Sequence, residues 1–244
     1  MTTRPALPMR VGVDAAPPPP LCYGVPGGPA FEGFEVDLMQ AVANRLERAL
    51  TFRASLWTEL LQQLQRGELD LICTAATITS ERERLFLFSR PYLRTPLAVI
   101  SRRQQRELLA VGGRVGVRAG TPAEVYVVDR NVQPLRFHFN EEMYHWLDQA
   151  RLDAVIDDLP IGAWFAASLP ALQISPLDAT ETQYGLVLRR DSAALKTALD
   201  EAIGAIIDDD TYARLYQRWL KPLLGDACDL TAGIVGVCDA AQRP

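Results

Sequence analysis

The tripeptide Val-Gly-Val occurs twice, at residues 11–13 and 115–117, and each copy opens a run in which strand-like and helix-like segments alternate. Two β-branched residues around a glycine make a short buried strand, and such strands alternating with amphipathic helices imply βαβ units. The period, close to half the chain, is far too long for a solenoid repeat. The sequence is therefore read as two similar α/β lobes, each with a parallel sheet covered on both faces. Its 244 residues are enough for two separate cores.

Local signals fill in this plan. Arg10 to Asp14 reads as a buried strand ending in a carboxylate, followed by a loop rich in Pro and Gly over 17–33. Leu38, Ala41, Val42, Leu46 and Leu50 recur at helical spacing behind Asp37. Thr51 to Ser55 alternates like a strand, and Thr58 is a candidate cap for a helix that Gly67 ends. Strands are expected at 70–73, 86–88, 97–100, 114–117, 135–139, 152–156 and 184–188. Thr121-Pro122-Ala-Glu124 reads as a helix start, Asn140 as a second cap, and 192–219 as a long helical region broken at Asp208–Asp210.

Charge and composition exclude several classes of function. The net charge is −5 and there is no basic stripe, which argues against a nucleic-acid partner. No apolar run reaches membrane-spanning length. Residues 1–9 contain no apolar stretch of the secretory-leader kind, so a leader either lies outside this sequence or the protein stays inside the cell. Cys73 lies in an apolar run and reads as a small buried hydrophobe, and Cys22 lies in the Pro/Gly loop. Cys228 and Cys238 flank a tail segment and could close a disulfide in an oxidising compartment. Their spacing is not a zinc pattern, and His138 and His145 lie far off, so no metal and no cofactor is expected.

Three segments carry a resemblance. They are Gly33-Phe-Glu-Val-Asp-Leu38; Gly67 through Arg82, closing with Phe88-Ser-Arg-Pro-Tyr92; and Arg114 through Thr121 with Leu152 to Asp158. In this order, over roughly residues 9–224, the chain resembles the bacterial extracellular solute-binding family that serves polar amino-acid importers. The resemblance implies a periplasmic binding protein type II-like fold: two α/β lobes, a hinge and a central ligand cleft. Open α/β sheets bind ligands beyond the carboxyl ends of their strands, which agrees.

The resemblance also implies a set of ligand-binding residues. Arg82 matches the arginine that clamps the ligand α-carboxylate. Ser80 and Glu83 read as a capping-box pair, which puts Arg82 in the first turn of a helix, where a guanidinium fork adds to the helix dipole. The plainer alternative is a solvated arginine beside Arg84. Thr74, Ala75 and Thr77 match strand-end positions that meet the ligand, and Trp57 matches an aromatic wall that would otherwise be core packing. Thr121 matches the N-terminus of a second-lobe helix, a place suited to an anion, or is simply a cap. Asp158 matches the carboxylate that receives the ligand ammonium, or is a cap ahead of Pro160. Asp14 is placed near the ammonium, and Arg118 near the ligand side chain.

Some positions depart from the family pattern. Pro17 stands where an aromatic usually stacks on the ligand, with Tyr23 a substitute from further along the loop; Ala75 replaces a frequent Ser; Pro122 and Ala123 replace polar residues, and Pro122 has no N–H to offer. With Asp157 next to Asp158, an acidic or otherwise unusual ligand stays open.

The resemblance implies a mechanism as well. Lobe one is residues 1–97 with 188–244, lobe two is 102–183, and the chain crosses at 97–101 and 184–188. A small polar ligand, an amino acid or related carboxylate, bridges Arg82 and Asp158 and draws the lobes closed. The protein then hands it to the membrane subunits of an ABC importer as a periplasmic or extracellular monomer. Two alternatives remain on the same fold. One is a cyclohexadienyl (arogenate) dehydratase, with Glu124, Asp157 or His145 as acid, although no catalytic motif is visible and a non-enzyme is expected. The other is a ligand-sensing domain of a receptor.

Overall fold

The protein is described by a computed structural model covering residues 7–16, 18–24, 31–102, 113–177 and 180–225. In chain order the first half holds β1 (Met9–Asp14), β2 (Tyr23–Gly24), β3 (Phe31–Glu32), α1 (Phe34–Arg45), β4 (Leu50–Ser55), α2 (Trp57–Gln65), β5 (Leu71–Ile72), α3 (Ser80–Leu85), β6 (Leu87–Phe88), β7 (Leu93–Thr95) and β8 (Leu97–Ser101). The second half holds β9 (Val115–Arg118), α4 (Pro122–Val128), β10 (Leu135–Phe137), α5 (Asn140–Asp148), β11 (Ala154–Asp158), α6 (Leu159–Ser168), β12 (Gln173–Pro176), β13 (Thr182–Tyr184), β14 (Val187–Leu188), α7 (Ala193–Asp208), α8 (Thr211–Trp219) and α9 (Lys221–Leu224).

The described residues form two compact units. One runs to Leu93 and resumes over Gln183–Pro222; the other includes Arg94–Thr182. The chain changes unit between Leu93 and Arg94 and between Thr182 and Gln183. β8 lies inside the second unit's sheet and β14 inside the first's. The two connecting strands, β7 and β13, form a two-stranded sheet of their own.

The sheets repeat one plan. The first runs β4-β1-β5-β14-β6 and the second β10-β9-β11-β8-β12. In each, the Val-Gly-Val strand is flanked by two parallel neighbours. Neither sheet is wholly parallel, which corrects the expectation. β14 is antiparallel to β5 and β6, and β8 is antiparallel to β11 and β12. In each sheet the reversed strand follows a crossing from the other unit, so it has no crossover helix to set it parallel.

The glycines of the two tripeptides share a reason. A Cβ on Gly12 would lie 2.7 Å from Leu69 Cδ1 and 2.9 Å from Leu60 Cδ2; one on Gly116 would lie 2.6 Å from Leu152 Cδ1 and 3.2 Å from Met143 Cγ. Each glycine lets α2 or α5, with the leucine beyond it, press apolar side chains onto the Val-Gly-Val strand. Leu60, Leu64, Leu69, Ile72, Phe86, Phe88 and Val187 pack together in the first unit; Leu97, Val115, Val117, Val127 and Ile156 do so in the second. Each such buried side chain contributes about 1.5–3 kcal/mol.

Several local expectations shift. α1 ends at Arg45, and Leu50 belongs to β4, because Glu47 adopts φ 52° and turns the chain out of the helix. α2 is capped by Leu56, with Thr58 inside the helix, and α5 begins at Asn140 with Phe139 as its cap. The break in the C-terminal helical region is Asp210, left-handed at φ 63°. Cys22 and Cys73 are buried free thiols whose ionisation burial pushes up. Cys228 and Cys238 lie outside the described residues, as does Pro17. No described helix is long and apolar enough to cross a membrane.

Candidate functional site

In the first unit the candidate residues gather at the carboxyl ends of β1 and β5. Asp14 ends β1 and is buried; its N–H donates to Thr74 Oγ1 at 3.1 Å, and its Oδ1 accepts the Ala16 N–H at 3.0 Å. Thr74 and Thr77 are buried in the turn after β5. Thr77 bridges to Tyr184, and the Ile78 N–H reaches Gln183 O at 2.7 Å, which fixes the turn's far end. Between them Ala75 sits at φ 50°, a strained setting for a residue with a side chain. Its N–H donates to Glu35 Oε1 at 2.6 Å.

Glu35 is one residue that the sequence reading does not single out. It is 1% exposed, and the same carboxylate oxygen accepts the Tyr92 hydroxyl, while Oε2 is buried without a partner. Burial pushes its carboxyl up to about 7, against the two hydrogen bonds that lower it. A signal was present: Glu35 shares a helical face with the buried Leu38, Met39 and Val42, and a carboxylate on an apolar stripe needs partners.

Arg82 is held by α3, which its cap sets up. The cap is Thr79, not Ser80; its Oγ1 accepts the Arg82 N–H at 3.3 Å. Arg82 is half-buried, whereas Arg84 is exposed. The Arg82 Nη1 donates to Thr77 O at 2.9 Å, and its Cζ lies 4.9 Å from the centroid of the Trp57 ring. Trp57 itself packs against the core beneath. The unit thus brings Arg82, Trp57 and Thr77 together in one contact set, and Asp14 and Thr74 in another. Tyr23 is occupied elsewhere, its ring edge-on to Trp219 at 6.2 Å.

In the second unit the candidates again sit at strand ends. Arg118 ends β9, and Asp157 and Asp158 end β11. Thr121 occupies the N-cap of α4, but its hydroxyl donates back to Arg118 O at 2.7 Å and caps nothing. Glu124 closes the turn, accepting the Gly120 N–H at 2.8 Å and pairing with Arg136; these contacts hold its carboxyl below the usual range. That removes Glu124 as a proton donor near neutrality.

Asp158 is the N-cap of α6, yet its side chain makes no capping bond. Its Oδ1 accepts instead from Thr182 Oγ1 at 2.9 Å. Asp157 stands behind it: Oδ1 accepts the Asp158 N–H at 2.9 Å and Oδ2 accepts the Tyr144 hydroxyl at 3.0 Å. The Tyr144 ring stacks on Phe165 with centroids 4.0 Å apart. Burial and the neighbouring Asp158 push the Asp157 carboxyl up to about 7. His145 is exposed on α5 and shares a hydrogen bond with Gln149. Among the described residues no group of three His, Cys, Asp or Glu side chains could hold a metal.

The chain is similar to known binding proteins along nearly all its length. It is 26% identical over 220 residues to ABC transporter arginine-binding protein 1 of Escherichia coli (strain K12), covering 86% of this chain and 90% of that protein. Among solved structures it superposes on the arginine-, lysine-, histidine-binding protein ArtJ from Geobacillus stearothermophilus. The TM-score there is 0.79 and the identity 26%, over 87% of this chain and 95% of that one. An ancestral amino acid-binding protein, a precursor of cyclohexadienyl dehydratase, matches at TM-score 0.78 and 26% identity, with the same coverage. The fold class read from the sequence is the fold of these proteins. The model of the bacterial extracellular solute-binding proteins, family 3, matches residues 9–222, and the chain belongs to that family.

Proposed function

We propose that this solute-binding protein captures an α-amino acid, with L-arginine the first candidate, and presents it to the membrane subunits of an ABC importer from the periplasm or cell exterior. The observation that carries the reading is the posture of Arg82. Its guanidinium is folded onto Trp57 and Thr77 O rather than extended into solvent. A half-buried, pre-ordered guanidinium recognises a carboxylate at little further entropic cost. Asp158 takes the α-ammonium, and Thr121, Thr74, Thr77 and Ala75 supply polar groups around them. Asp14 offers a carboxylate to a cationic side chain, which fits relatives that bind arginine, lysine and histidine. Movement of the two units about β7 and β13 completes the set, so that ligand favours the closed population.

A thermal-shift screen of the protein as a monomer against the proteinogenic amino acids and related carboxylates tests this. A ligand at a hundredfold above its Kd raises stability by about 2.7 kcal/mol. L-arginine is expected to shift the melting temperature; no shift with any α-amino acid defeats the reading.

A second reading, a dehydratase, draws on the precursor of cyclohexadienyl dehydratase and on Asp157, a carboxyl whose pKa of about 7 suits an acid. Against it, Asp157 is engaged by Tyr144 and by the Asp158 backbone. A spectrophotometric assay with prephenate and arogenate is expected to show no turnover.

A further inference from the structure

The hydroxyl of Thr182 lies 2.9 Å from two acceptors, Asp158 Oδ1 and the backbone oxygen of Thr95. All three residues are buried and belong to the second unit. A threonine hydroxyl carries one proton, and neither a carboxylate nor a carbonyl supplies another. The Thr182 proton therefore serves one acceptor at a time.

The backbone around Asp158 is held on both sides. Its backbone N–H is held by Asp157 Oδ1, Asp157 is held in turn by Tyr144, and its place in β11 is opposite Leu97. The Leu159 N–H, next in the chain, donates to Pro96 O at 3.0 Å. The hydroxyl of Thr182 donates to the Asp158 side chain itself and can rotate between its two acceptors. Its other acceptor, Thr95, ends β7, and Thr182 begins β13, the two strands on which the chain changes unit.

We infer that Thr182 is a positioning residue that couples the ammonium-binding carboxylate Asp158 to the paired connecting strands. Before ligand arrives, the hydroxyl donates to Asp158 and holds that carboxylate in place. When a ligand ammonium donates to Asp158, the Thr182 hydroxyl rotates to donate its hydrogen bond to Thr95 O and ties β13 to β7. Occupancy is thereby read out at the strands that must bend. The inference rests on the reading of Asp158 as the ammonium receptor.

The test uses L-arginine, calorimetry and the full chain carrying Thr182→Val, Thr182→Ser or no change, with the Asp158 carboxyl followed by carbon-13 NMR titration of the unliganded protein. Asp157, which stands behind that carboxyl, feels the charges of both Asp158 and Arg118. Val keeps the shape and deletes the donor; it is expected to weaken L-arginine binding roughly tenfold and to raise the Asp158 titration midpoint. Ser is expected to restore both. If Thr182→Val does not fold, Thr182→Ala replaces it in the same comparison. Unchanged affinity in the donor-deleted variant overturns the inference, as does weakened affinity with an unmoved Asp158 titration, which is a merely structural role. If the unmodified chain binds another α-amino acid in place of L-arginine, that amino acid is the titrant; failure to bind any α-amino acid defeats the amino-acid reading and this inference together, and equal binding by the unmodified chain and the variant defeats this inference alone.

Discussion

The Arg82 guanidinium carbon lies 4.9 Å from the centre of the Trp57 ring, and the same guanidinium donates to Thr77 O. The indole wall and the peptide oxygen hold the guanidinium in the posture that the proposed carboxylate clamp needs. Arg82→Ala is expected to weaken L-arginine binding by about 2 kcal/mol or more, roughly thirtyfold or beyond. Arg82→Lys keeps the charge, loses the fork and should fall between. Trp57→Ala removes a cation–π contact of about 1 kcal/mol and should cost several-fold. Isothermal titration of the three variants checks the order.

Glu35 predicts a pH dependence of stability. Burial raises its carboxyl from the ordinary 4.5 to about 7, so the folded protein holds the proton more tightly than the unfolded chain. Its contribution is fully present below pH 4.5 and is lost as pH rises toward 7. The loss amounts to about 3 kcal/mol by the size of the shift. Glu35→Gln cannot ionise and should flatten this fall; Glu35→Ala should also loosen Ala75 and weaken ligand binding. Urea unfolding between pH 4 and 8 measures the slope. An unchanged slope in the Gln variant contradicts the role given to burial.

The central glycines give a purely structural prediction. Gly12→Ala and Gly116→Ala each place a methyl within 3 Å of a leucine side-chain end, at Leu69 and Leu60 or at Leu152. Those ends can move, so each substitution is expected to destabilise by about 1–3 kcal/mol without abolishing folding. Chemical denaturation should show a lower midpoint with an unchanged m-value.

What the sequence disclosed and what it hid follow from the range of each interaction. The Val-Gly-Val strands, α1 behind Asp37 and the break at Asp210 are local, written in periodicity and turn chemistry. Ser80 reads as the cap that Thr79 in fact provides, because adjacent hydroxyl residues are equivalent until the backbone chooses one. The reversed strands β8 and β14 depend on where the chain re-enters each sheet, which no local pattern records. Arg82, Thr74 and Asp158 are singled out by the resemblance; the structure puts Arg82 in the first turn of α3, Thr74 just after β5 and Asp158 at the end of β11. Thr182 was not found at all: its partners lie 24 and 87 residues away, and a threonine between polar neighbours carries no mark.

The central claim is that Arg82 and Asp158 grip the α-carboxylate and α-ammonium of one amino acid. Calorimetric titration with L-arginine, agmatine and 5-guanidinopentanoate tests it most directly, since the second compound lacks the carboxylate and the third the ammonium. The account predicts one-site binding of L-arginine, with each analogue weaker by about a hundredfold. Binding of agmatine or 5-guanidinopentanoate as tightly as L-arginine would contradict it.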